Sequence, residues 1–119
     1  IDGDGAVIMH MGALACVGKL APANFGHIIL NNQSHDSVGG QPTAADVISF
    51  CDIAKACGYK MTNIATTPFE IQRAIQLMHQ NLGPTLLEIR VNVGHRSDLG
   101  RPTRSTIENK EDFVEFLRS

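Results

Sequence analysis

Asp4 stands between two glycines in Gly3-Asp4-Gly5, and a pair of amides, Asn31-Asn32, follows after the intervening residues 6 to 30. A carboxylate and an amide both offer oxygen ligands. Mg²⁺ takes a few such oxygens and completes its octahedron with water and phosphate oxygens. Glycine on either side of Asp4 lets the backbone turn sharply and approach a ligand that a side chain would keep off. The apolar stretch from Ala6 predicts a helix whose first N–H groups lack partners and whose dipole is positive at that end. A phosphate belongs there. The chemistry these residues suit is a divalent cation clamping a diphosphate to the protein.

Such a site needs elements that bring residues 4 and 32 to one place. Ile1-Asp2 reads as the end of a buried strand delivering the turn, and His27-Ile28-Ile29-Leu30 as a buried parallel strand ending at the two asparagines. Between them a helix is predicted over 6–20, with Val7, Ile8, Met11, Leu14 and Ala15 at helical spacing and Gly12 and Gly18 suited to close packing. Strand, helix and strand then place both oxygen donors at the carboxyl edge of a parallel sheet, where open α/β sheets bind ligands. Residues 33–43 have no periodicity and read as a loop at the same edge.

The rest of the chain keeps alternating. Thr43 is the expected cap of a helix over 44–56 that Gly58 stops, and residues 59–65 read as a strand. Thr67-Pro68-Phe69-Glu70 combines a cap, a proline at the first helical position and a glutamate three residues after the cap, a strong helix start. A strand over 86–93 follows, with Leu87, Ile89, Val91 and Val93 alternating against Glu88, Arg90 and Asn92. A basic connection over 94–105 leads to a last helix from about 109 to 118, with Phe113, Phe116 and Leu117 as its expected buried side. The fold class is α/β, a parallel sheet with helices on both faces.

With 119 residues the chain makes one domain. Its net charge of −2 gives no general attraction to nucleic acid or to an anionic membrane. No apolar run approaches the roughly 20 residues of a membrane span. Cys16, Cys51 and Cys57 lack metal-ligand spacing and read as reduced core thiols, which fits the cytoplasm.

Other uses of an acidic glycine turn fit less well. An EF-hand loop starting at Asp2 would place Ala6 at its fifth position and has no closing glutamate. A phosphatase with Asp2 as nucleophile needs a further acidic pair, and none follows. A dinucleotide fingerprint needs glycine where Ile8 stands.

The GDG and NN pair resembles the thiamine diphosphate binding motif. Three further segments, Gly5-Ala6-Val7-Ile8-Met9-His10-Met11-Gly12-Ala13-Leu14-Ala15, His35-Asp36-Ser37-Val38-Gly39-Gly40-Gln41-Pro42-Thr43 and Asp98-Leu99-Gly100-Arg101-Pro102-Thr103, resemble the C-terminal cofactor-binding domain of the phosphonopyruvate decarboxylases. Sulfopyruvate decarboxylases are the close second. The resemblance covers nearly all of residues 1–119 and implies a thiamine diphosphate-binding fold that uses Mg²⁺.

The implied activity is that of a lyase in phosphonate biosynthesis, releasing carbon dioxide from a small 2-oxo acid. By that resemblance Asp4, the amide oxygen of Asn32 and the main-chain carbonyl of Ser34 are the metal ligands, while Gly3, Gly5 and Ala6 join them around the cofactor. His35, directly after the ligands, and His10, one turn after Ala6, are the candidate catalytic imidazoles. Each has an alternative use as a histidine bonded to a neighbouring loop. Asn31 reads as a strand-end residue satisfying local backbone groups. Arg96, Arg101 and Arg104 suit phosphonate or carboxylate oxygens, or else solvated loop charge.

The resemblance also implies that the chain is a fragment. A pyrimidine-binding domain upstream and a second subunit would complete the site, and the chain alone is expected to lack decarboxylase activity. A binding module that has lost the cofactor is the alternative from another class.

Overall fold

The structure, a computed structural model, describes residues 1–100 and 102–119. Arg101, one of the three loop arginines, lies outside the described residues. Four strands form one parallel sheet in the order β1 (Asp2–Gly3), β2 (Gly26–Asn31), β6 (Thr85–Arg90), β5 (Met61–Ala65). Between β2 and β5 the chain makes a small antiparallel hairpin, β3 (Ser34–His35) and β4 (Gln41–Pro42), around a 3₁₀ turn over Asp36–Val38. The aperiodic segment 33–43 is thus a hairpin rather than an irregular loop.

Helices cover both faces of the sheet. Val7 of α1 (Asp4–Met9), Leu14 of α2 (Gly12–Leu20) and Phe50, Cys51 and Ala54 of α3 (Phe50–Cys57) pack with Ile29 and Leu86. On the opposite face Ile71, Ala74, Ile75 and Met78 of α4 (Pro68–Gln80) cover Ala65, Leu87, Ile89 and Ile28. These α4 residues recur at helical spacing, which is the stripe a sheet-covering helix needs. Each buried leucine or isoleucine contributes about 2 kcal/mol by leaving water.

Several expected boundaries move, for local reasons. The helix predicted over 6–20 begins at Asp4 and breaks at His10, whose φ of −134° ends α1. There the N–H groups of Ala13 and Leu14 reach back only three residues, to His10 and Met11, in the tighter pattern that accompanies a change of helix direction. Thr43 caps no helix. Ser49 does, its hydroxyl accepting from the Asp52 N–H, so α3 starts at Phe50. The Ser-x-x-Asp spacing was a readable cap signal that the Pro-Thr dipeptide upstream obscured. Gly58, with φ of +104°, stops α3 as expected.

β6 does not alternate. Residues Thr85 to Ile89 are all buried, Glu88 included, because β6 is an inner strand with a neighbour on either side and helices on either face. Asp2 and Gly3 do form a strand, yet both are exposed at the sheet edge. The final helix, α5 (Thr106–Arg118), is longer than expected and buries nothing: Phe113, Phe116 and Leu117 are all exposed. Cys16 is exposed as well, leaving Cys51 as the core thiol and Cys57 half-buried. Burial pushes the Cys51 thiol up, so it is an inert one. Among the described residues no helix is long and apolar enough to cross a membrane.

Candidate functional site

β1 pairs with β2 so that Gly3 stands opposite Leu30. Asp4, the first residue after β1, and Asn31, the last residue of β2, therefore lie at the same end of the sheet. Both expected turns meet at this carboxyl edge. Gly3 caps α1 with an extended backbone and Asp4 is the first helical residue, a favourable place for a carboxylate beside unpaired N–H groups. A Cβ at Gly3 would meet nothing within 4 Å, so the space over this turn is open.

Asp4 is only 1% exposed. Its Oδ2 accepts a hydrogen bond from the Thr43 hydroxyl at 2.5 Å. Thr43 in turn donates its N–H to the Gln33 carbonyl at 3.0 Å, which ties the acid to the residue directly after Asn32. Thr43 is thus the link between the two motifs, a role its sequence position did not disclose. Among the described residues no cationic side chain pairs with Asp4, and a buried carboxylate without a counter-charge is costly.

The two asparagines behave differently. Asn31 is buried: its amide donates to Glu88 Oε1 at 2.9 Å and its oxygen accepts from the Gln33 N–H at 3.1 Å. Both ends of that side chain serve the fold, as expected of a strand-end residue. Asn32 is half-buried, and its oxygen accepts from the Ser34 N–H at 3.0 Å. An amide oxygen has two lone pairs, so this one keeps capacity for a cation. Gln33 follows them with φ of +58°, the left-handed conformation that turns the chain from β2 into the hairpin.

Ser34 follows in β3, opposite Pro42. The Thr43 N–H bond to the Gln33 carbonyl makes Ser34 and Pro42 a non-hydrogen-bonded pair, so the Ser34 carbonyl is directed away from β4. The donors at this edge are all oxygens: a carboxylate, an amide and a main-chain carbonyl, a set suited to a hard cation such as Mg²⁺. Among the described residues no three His, Cys, Asp or Glu side chains gather into a metal cluster, so zinc-type ligation is not offered.

His35 lies against the same turn. A Cβ on Gly5 would collide with Nδ1 and Cε1 of its ring and press on the Thr43 methyl. Glycine at position 5 is therefore needed for His35 to close over the turn, a contact the sequence reading did not foresee. His10 goes elsewhere. It is exposed at the break after α1 and lines a recess of about 260 Å³ with Asp2, Ala6 and His27. The fold thus gathers Gly3, Asp4, Gly5, Asn32, Ser34 and His35, with Ala6 exposed in the first turn of α1 and His10 in a recess that Ala6 also lines.

His27, read as structural, fits that description. Its Nε2 is 2.9 Å from Asp2 Oδ2 and its Nδ1 is 3.3 Å from the Tyr59 hydroxyl, whose pKa burial raises to about 12. The loop arginines pair locally, Arg96 with Asp98 and Arg104 with Asp112, all exposed. The segment carrying them nevertheless starts at the site. The Gly94 N–H donates to Asp36 Oδ2 at 2.8 Å and, with the Ser34 hydroxyl and the His95 charge, holds the Asp36 carboxyl below its usual range.

A family described as thiamine pyrophosphate enzyme, C-terminal TPP binding domain, matches residues 1–89. The chain is 37% identical over 117 residues to a phosphonopyruvate decarboxylase of Streptomyces viridochromogenes, covering 98% of this chain and 30% of that protein. It is 36% identical over 116 residues to a phosphonopyruvate decarboxylase of Streptomyces hygroscopicus, covering 98% of this chain and 29% of that one. A sulfopyruvate decarboxylase subunit beta of Methanococcus maripaludis is 43% identical over 58 residues, which is 49% of this chain and 31% of the subunit. The chain spans under a third of the length of these relatives.

Proposed function

The chain belongs to the family of thiamine pyrophosphate enzyme C-terminal TPP-binding domains, and from that premise we propose that it is the diphosphate-binding domain of a 2-oxo acid decarboxylase. The substrate proposed is phosphonopyruvate, giving phosphonoacetaldehyde and carbon dioxide. The two relatives that align with 98% of this chain carry that name. Sulfopyruvate is the second reading, favoured by the higher identity over a shorter stretch.

The observation that carries the proposal is Asp4: a carboxylate 1% exposed, held by Thr43 to the asparagine turn, with no cationic partner among the described residues. Asp4, the Asn32 amide oxygen and the Ser34 carbonyl hold Mg²⁺ in this reading. The backbone of Gly3, Gly5 and Ala6 would hold the diphosphate. When bound, thiamine diphosphate supplies the electron sink that lets carbon dioxide leave.

The chain's own part is positioning. Thr43 keeps Asp4 aimed at the asparagine turn, and the hairpin fixes Ser34 beside it. His35, half-buried and seated on Gly5, is the imidazole proposed to exchange a proton with the substrate. His10, in its separate recess, is the second imidazole of the proposal. The pyrimidine-binding domain and a second subunit, in the cytoplasm, would supply the remaining walls.

The test is carbon dioxide release by the full-length protein with thiamine diphosphate and Mg²⁺, on phosphonopyruvate and on sulfopyruvate. Turnover of phosphonopyruvate, lowered by about 100-fold or more in Asp4→Ala, is the expected result. Turnover of sulfopyruvate alone would move the substrate to the second reading. Absence of turnover on both, or an Asp4→Ala variant as active as the parent, would overturn the assignment.

A further inference from the structure

An asparagine that binds a cation must present oxygen, and the two ends of its amide are nearly equal in size. Something has to decide which end faces the metal. At Asn32 the decision is visible. Its Nδ2 donates to Asp36 Oδ2 at 2.9 Å while its Oδ1 accepts from the Ser34 N–H at 3.0 Å. Turning the amide over would set its NH₂ against the Ser34 N–H and its oxygen against the Asp36 carboxylate. Donor would meet donor and acceptor would meet acceptor.

Asp36 is itself held. Oδ1 accepts from the Ser34 hydroxyl at 2.8 Å, and Oδ2 also accepts from the Gly94 N–H at 2.8 Å. The Gly94 bond reaches the segment beyond β6, so the carboxylate is anchored to two parts of the chain 58 residues apart. An exposed charge with one partner would contribute little. Three donors converging on one carboxylate fix its direction, and charge-assisted bonds are the stronger kind.

The same device occurs one residue earlier. Asn31 places its NH₂ on Glu88 and its oxygen on the Gln33 N–H, and there the side chain and its carboxylate partner are buried. Asn32 repeats the arrangement at a half-buried position.

We propose that Asp36 is the positioning residue that presents the oxygen of Asn32, rather than its nitrogen, to a divalent cation bound with a diphosphate. This rests on the cofactor reading above, and its test separates the two. Mn²⁺ binding to the full-length protein is titrated in the presence of thiamine diphosphate and read by the electron paramagnetic resonance of free Mn²⁺. Asp36→Ala should weaken binding about 10- to 100-fold. Asp36→Asn should recover part of the loss, because its oxygen still accepts the Asn32 NH₂.

The decisive arm uses Asn32→Asp, whose side chain has oxygen at both ends. In that background Asp36→Ala should leave Mn²⁺ affinity unchanged or raise it by removing a like charge. Equal affinity of Asp36→Ala and the parent overturns the proposal. So does an equal loss in both backgrounds with a lower melting temperature of the metal-free protein, which assigns Asp36 to loop folding only. A parent protein that binds no Mn²⁺ with the cofactor overturns the cofactor reading first, and this inference with it.

Discussion

Helices α4 and α5 are built alike and end differently. Each has 13 residues and opens on a complete capping box, Thr67 with Glu70 and Ser105 with Glu108, in which hydroxyl and carboxylate satisfy each other's backbone N–H groups. Yet α4 buries Ala74 and seats Ile71, Ile75 and Met78 on the sheet, while α5 buries no residue. The stripe on α4 is continuous. On α5, Lys110 stands three residues after Ile107 and three before Phe113, on the side where the apolar residues lie. α4 also joins β5 to β6 through short connections. Capping makes a helix begin, and a continuous apolar face makes it dock.

The largest effect that would sharpen this contrast is a charge placed on each apolar face. Ala74→Asp sets a carboxylate among Ala65, Leu87 and Ile89 and should cost about 3–5 kcal/mol, enough to lose cooperative urea unfolding. Phe113→Asp, 60% exposed in the parent, should move the midpoint by no more than about 0.5 kcal/mol. Similar shifts for both would break the comparison.

Cap removal comes next. Thr67→Ala deprives the Glu70 N–H of its acceptor and should lower global stability by about 1 kcal/mol, because α4 melts only with the sheet. Ser105→Ala removes the matching bond and should register only as faster amide exchange in the first turn of α5.

The smallest effect is the pH response. The Thr66 N–H and hydroxyl, with the Thr67 N–H, hold Glu70 below its ordinary value of 4.5. The Ser105 hydroxyl and N–H do the same for Glu108. A depressed folded pKa means a contribution fully present above the ordinary value and lost as pH falls through the lowered one. Below about pH 4.5, Glu70 should weaken the global transition in urea, an effect that Glu70→Gln removes. Glu108 should change only the helical signal of α5 over the same interval. A shared response in global stability would show that α5 is docked after all.

Legibility followed the same division. The capping box at Thr67, the stop at Gly58 and the parallel sheet with helices on both faces could be read, since each rests on residue type at short spacing, while the equivalent Ser105 and Glu108 signal was missed. The nearness of the GDG turn to the asparagine turn could be read as well. Three parts of the site could not. Thr43 looked like a cap and instead bridges Asp4 to the asparagine turn. Glu88 looked like the solvent side of an alternating strand and instead holds Asn31 in the interior. The Gly94 contact to Asp36 depends on where the chain goes after its last strand.

The order of residue types settled what chemistry is on offer and where helices start, because capping bonds and turns act over a few neighbouring positions. Which donors share one edge was decided by β1 pairing with β2 and by Thr43 tying Asp4 to Gln33. β6, entering between β2 and β5, buried Glu88 and brought Gly94 to Asp36. Contacts between residues tens of positions apart depend on strand order, which local propensity does not encode.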